Sequence, residues 1–141
     1  MEATDVLTDG RVPSVRRTYR TTELFLFSAA TWNPHRVHYD QSYTRSVEGH
    51  DGLLVQGPLQ AVHLFEALAG ALTERAELVS VRYRHVAALP VDQPVVIDGQ
   101  LAELDEEAGT ATVEMWMAHG SSGQRTTTGT AVVRVPRDEV S

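Results

Sequence analysis

The chain has no cysteine and no lysine. Without cysteine there is no thiol nucleophile, no disulfide framework and no thiolate-held zinc. Without lysine there is no Schiff-base chemistry and no phosphate-loop lysine, so every basic side chain is one of 12 arginines. These are outnumbered by 19 acidic residues, giving a formal net charge of −7. That balance argues against general nucleic-acid binding, which needs a basic surface. Any anion site must be a local arginine cluster. No apolar run approaches the roughly 20 residues of a membrane span. The opening Met1-Glu-Ala-Thr-Asp5 has neither the basic nor the apolar part of a leader. The expectation is a cytoplasmic protein with no membrane partner.

What is present suits one domain. A chain of 141 residues, 42% hydrophobic, can bury roughly 70% of its unfolded surface and needs no staple to fold. Residues 1–14 mix Asp, Thr, Gly and Pro without periodicity and read as a flexible N-terminal arm. The domain is expected over 15–136, with 137–141 as a C-terminal tail. Val15–Arg20 suits a first strand. Thr22 suits the cap of a helix running to Ala30, ended by Pro34. Residues 33–57 form a long polar, Gly-rich loop with one helical turn at Gln41–Ser46. Long irregular segments in compact domains are often functional.

Pro58–Thr73 carries the longest helical pattern, with proline in the first turn where its missing N–H is no loss. Its polar positions Gln60, His63, Glu66, Gly70 and Thr73 make one narrow stripe expected to face solvent. A helix apolar around the rest of its girth must be wrapped by other structure. The second half alternates as strands do. Leu78–Ala88 puts Val79, Val81, Tyr83, His85 and Ala87 on one face and Arg82 and Arg84 on the other. Further strands are expected over 94–104, 110–119 and 126–135, separated by turn clusters at 105–109 and 119–124. The fold class is therefore α+β: an antiparallel sheet of about five strands wrapped around a long central helix.

Two clusters could carry chemistry. The first is Thr31-Trp-Asn-Pro-His-Arg-Val-His-Tyr-Asp40. His35, His38 and Asp40 suit acid–base work near neutral pH, a metal site, or histidines that merely bond the carbonyls at a helix end. The second is Gly49–Pro58, where Gly57 precedes the long helix. Backbone N–H groups at a helix start suit a developing oxyanion, and a glycine there also suits a simple tight turn.

Together, Phe27–Asp40 and Gly52-Leu-Leu-Val-Gln-Gly-Pro-Leu-Gln-Ala61 resemble the MaoC-like hydratases and dehydratases of the hot-dog fold. The branch most similar contains type 2 hydroxyacyl-thioester dehydratases and mesaconyl-CoA hydratase. The resemblance extends over roughly 16 to 135. The wider family's catalytic loop has an Asp, an Asn two residues on, and a His five residues after the Asp. Overlaying it on the ending Val37-His38-Tyr39-Asp40 puts His38 on the catalytic His, Asn33 on the Asp and His35 on the Asn. Here an amide replaces the usual carboxylate, and Asn33 can orient a water but not take its proton. Gln56 stands where many relatives have His, and is expected in the pocket wall.

The resemblance implies a hydro-lyase that interconverts a 2-enoyl thioester and its 3-hydroxyacyl thioester, in fatty-acid or polyketide metabolism. It implies His38 as principal acid/base, assisted by His35 or Asn33, with the Gly57 N–H at the thioester oxygen. No cofactor and no metal are implied, since coenzyme A or phosphopantetheine arrives as part of the substrate, free or on an acyl carrier protein. Arg36, Arg82 and Arg84 are candidate phosphate contacts. The family further implies a homodimer joined at strand edges, because an unpaired Thr/Val-rich edge is an aggregation liability. The alternatives are a hot-dog thioesterase using Glu66, and an inactive subunit that pairs with an active partner.

Overall fold

A computed structural model describes residues 1–137. Five strands form one antiparallel sheet in the order β1-β3-β4-β5-β2. They are β1 (Val15–Thr18), β2 (Glu77–His85), β3 (Pro94–Asp105), β4 (Thr110–His119) and β5 (Arg125–Arg134). Strands β3 to β5 are a meander closed by the two expected turn clusters, and β2 adds to its far edge against β5. Alternation decides the inner face: Ala111, Val113, Met115 and Met117 of β4 are all buried.

The helices are α1 (Ala3–Val6), α2 (Thr21–Ala30), α3 (Gln41–Ser46) and α4 (Gly57–Ala71). Helix α4 lies on the inner face of the sheet, burying Leu59, Ala61, Leu64 and Leu68. Gly129 of β5 lets it sit close, since a β-carbon there would stand 2.9 Å from the Phe65 ring and 3.1 Å from Leu64. This is the hot-dog arrangement expected. No helix among the described residues is long and apolar enough to cross a membrane.

Four expectations need correction. The segment 1–14 is not a loose arm: Val6, Leu7 and Val12 are buried, and Thr8 N–H bonds the Ala71 carbonyl at 2.9 Å. Helix α2 starts one residue before the expected cap Thr22. Arg20 flanks it, and the Glu23 carboxylate accepts the Arg20 N–H at 3.0 Å. The polar stripe of α4 does not all face solvent, because Gln60 is buried, held by hydroxyls of β5. Nor is α4 wrapped all round, since Val62 is 53% exposed. Of the expected tail 137–141, residues 138–141 lie outside the described residues.

Candidate active site

The loop after α2 is built by local hydrogen bonds. Trp32 takes a left-handed conformation (φ 55°), and Asn33 N–H returns to the Ser28 carbonyl at 2.9 Å. This closes the helix as glycine would normally do. Asn33 Oδ1 then accepts the His35 N–H at 3.2 Å, and Arg36–His38 forms a 3-10 turn. Asp40 caps α3 by accepting the Tyr43 N–H at 3.0 Å, and the Arg36 guanidinium grips the same carboxylate at 2.8 and 3.1 Å. The Tyr43 N–H and Arg36 hold the Asp40 carboxyl below its usual range.

The 3-10 turn is pinned to the chain leading into α4. Leu54 N–H donates to the Val37 carbonyl at 2.9 Å, and His38 Nδ1 lies 2.7 Å from the Leu54 carbonyl. A carbonyl can only accept, so Nδ1 carries the proton and neutral His38 has its lone pair on Nε2. Burial pulls the His38 pKa below the ordinary 6.5, opposed by the Leu54 bond and helped by nearby His35. The two rings meet edge to face, 5.6 Å apart.

His35, His38, Gly57, Gln60 and His85 line one cleft of about 470 Å³, walled by apolar residues such as Val55 and Leu89. The chain from Leu53 to Val55 is fixed there by Val55 N–H to the Leu89 carbonyl and Val91 N–H to the Leu53 carbonyl, both 2.8 Å. Gly57 begins α4, so its N–H is among the donors that the helix leaves without an internal acceptor. A half-buried neutral imidazole and a helix N-terminus thus share one partly apolar space. That pairing suits moving a proton beside a carbonyl that gathers negative charge.

The other sequence candidates lie elsewhere. Asn33 lines a neighbouring cleft of about 270 Å³ with Phe25, Ser28, Trp32 and Tyr39. Gln56 is fully buried, its amide donating to the Leu24 carbonyl at 2.6 Å and Ser28 Oγ at 2.9 Å, so it clamps α2 to the start of α4. Arg36 is occupied by Asp40 and stacked 4.1 Å over the Tyr43 ring. Arg82 and Arg84 pair with Thr130 and Thr128 on the outer face of the sheet. There, with Arg125 and Trp116, they border an open groove of about 510 Å³. Glu66 is exposed and is not part of the cleft wall.

Two residues escaped the sequence reading. Alternation along β2 puts His85 on one face with Val79, Val81 and Tyr83 and gives it no role, and the polar stripe of α4 puts Gln60 toward solvent. Alternation along β2 was the available signal for His85. Nothing local marks Gln60, whose partners Thr126 and Thr127 lie 66 and 67 residues away.

Residues 7–91 match the family model of hydroxyacyl-thioester dehydratase type 2, more than half of the chain. The chain is 50% identical over 66 residues to mesaconyl-C(4)-CoA hydratase of Chloroflexus aurantiacus, covering 47% of this chain and 23% of that protein. It is 33% identical over 64 residues to the mitochondrial hydroxyacyl-thioester dehydratase type 2 of Saccharomyces cerevisiae, covering 45% of this chain and 22% of that one. The matched stretch therefore spans less than a quarter of either relative. Among solved structures, an (R)-hydratase from A. caviae involved in PHA biosynthesis superposes with a TM-score of 0.76 at 21% identity, over 88% of this chain and 93% of that one. The family match contains both the loop of His38 and the start of α4, and the fold match extends the likeness over the sheet: the chain belongs to the hydroxyacyl-thioester dehydratase type 2 family.

Proposed function

We propose that this chain is a hydro-lyase of acyl thioesters, interconverting a 2-enoyl thioester and its 3-hydroxyacyl thioester. The observation that carries this reading is the tautomer of His38. With Nδ1–H held by the Leu54 carbonyl, Nε2 is the basic atom, in the cleft that also contains Gly57. In hydration, His38 Nε2 takes a proton from water as the oxygen bonds the β-carbon. The π electrons move toward the thioester oxygen, where the Gly57 N–H stabilises the enolate. His38 then returns the proton to the α-carbon. Dehydration is the reverse. His35, against the His38 ring, holds it in place, and Asn33 shapes the loop through its bond to the His35 N–H. Coenzyme A or an acyl carrier protein's phosphopantetheine carries the acyl group.

The thioesterase alternative is weakened by the exposure of Glu66 and its absence from the cleft wall. The two chemistries separate on crotonyl-CoA. Loss of the enoyl absorbance with the thioester intact supports hydration, whereas release of free thiol would overturn it.

A second copy of the chain is the proposed partner, in the cytoplasm. Strand β2 is a sheet edge exposed along its whole length, and its Val79, Val81 and Tyr83 are 46%, 41% and 46% exposed. Sedimentation as a dimer at micromolar concentration is expected. A monomer, or a chain that assembles only with a different hot-dog subunit, would contradict the homodimer.

A further inference from the structure

His85 ends β2, and its ring lies against the Cα of Gly57: a β-carbon built there would stand 2.2 Å from Nε2. It therefore adjoins the backbone assigned to the enolate, and it lines the same cleft as His38. Its tautomer follows from a chain of hydrogen bonds. Gln60 Nε2 donates to the Val55 carbonyl at 3.3 Å, so the amide orientation is set and Oε1 faces β5. Oε1 accepts the Thr127 hydroxyl at 2.8 Å and the Thr126 hydroxyl at 2.9 Å. With its one proton given to Gln60, Thr127 Oγ1 can only accept from His85 Nδ1, 3.0 Å away. His85 is thus an Nδ1–H imidazole with its lone pair on Nε2, and among the described residues no group bonds that atom. Burial also lowers its pKa, favouring the neutral ring.

We propose that His85 is a second catalytic residue of the hydration, its Nε2 accepting a hydrogen bond from the water that His38 deprotonates. This rests on the hydratase reading. Water brings two O–H bonds. One proton passes to His38 Nε2 and then to the α-carbon, while the new C–O bond forms and the π pair moves to the thioester oxygen and back. The other O–H stays intact as the product's β-hydroxyl, held by His85 Nε2 throughout, and both imidazoles end as they began. Asn33 does not supply this acceptor, since it lines a different cleft and its Oδ1 already accepts the His35 N–H. Thr127 and Gln60 are positioning residues that act through His85.

The test measures crotonyl-CoA hydration by the wild type, His85→Phe, His85→Gln, Thr127→Val and Thr127→Ser, with 15N NMR of the imidazoles. His85→Phe is expected to lower kcat about 100-fold, the lower end of what a positioned acid–base group supplies, with KM within about threefold. Glutamine, which keeps an acceptor, restores part of the loss. Thr127→Val lowers kcat and moves His85 toward a tautomer mixture, whereas Thr127→Ser restores both. If His85→Phe does not fold, the threonine pair and the wild-type spectrum decide. Wild-type turnover with undiminished kcat in His85→Phe, or with His85 protonated at Nε2, overturns the inference alone. A wild type that folds with the stated tautomer but hydrates no enoyl thioester overturns the hydratase reading, and the inference with it.

Discussion

Replacing Gly57 by alanine separates activity from stability, because the clash it creates falls on a side chain rather than on backbone. The new methyl would stand 2.2, 2.5 and 2.7 Å from Nε2, Cδ2 and Cε1 of His85. Ordinary contact begins near 3.4 Å, so the ring must retreat by about 1.2 Å. That breaks its 3.0 Å bond to Thr127, a net loss of about 1 kcal/mol. Alanine returns part of this, since it exceeds glycine by up to about 1 kcal/mol in a helix, and by less in the first turn. The net change stays below about 1 kcal/mol, a shift of no more than about 4 °C in Tm for a domain of this size. Turnover responds differently. Displacing a group that holds the reacting water by about 1 Å costs on the order of 100-fold. Thermal melts and crotonyl-CoA hydration measure the two effects, and His85→Ala is the control background. There the methyl meets an empty space and adds no further loss of stability. Wild-type activity in Gly57→Ala, or a loss above about 3 kcal/mol that His85→Ala does not relieve, would refute the reasoning.

Burial depresses the pKa of His38, His63 and His85 below 6.5. Their neutral forms therefore support the fold fully above pH 6.5, and that support is lost as pH falls through 6.5 toward the depressed values. Denaturant melts should show stability falling with acid from that point, and kcat/KM should hold to pH 6.5 and decline below it as His38 loses its basic form. Gln56→Ala removes the clamp between α2 and α4 and leaves a buried gap. A loss of about 2–3 kcal/mol by chemical denaturation is expected, and a loss under about 0.5 kcal/mol would contradict the clamp. Trp32→Gly relieves a left-handed residue that is 91% exposed. It should raise stability by about 1 kcal/mol, and any destabilisation would count against the strain.

The strands are legible because alternation is a local property: the expected 110–119 coincides with β4 and the other expected strands agree with the structure within a few residues. The single turn at Gln41–Ser46 is legible too, and the structure adds Asp40 as its cap. The N-terminal segment is not, because Val6, Leu7 and Val12 follow no strand or helix period and are buried only by packing into the core with α4 and the sheet. In the site, spacing alone leaves His35, His38 and Gly57 open between chemical and structural roles; the family resemblance singles them out, and they line one cleft. The resemblance also singles out Asn33, which follows the left-handed turn at Trp32 and lines the neighbouring cleft. His85 and Gln60 depend on how β2 and β5 pack on α4, which no local pattern records.

In the proposed hydration, His38 is the group that moves the proton. The most direct measurement is crotonyl-CoA hydration by His38→Ala beside the wild type, with circular dichroism to show that both are folded. A fall in kcat/KM of at least about 100-fold is predicted for the folded variant. Turnover within about threefold of the wild type, below any acid–base contribution, would contradict it.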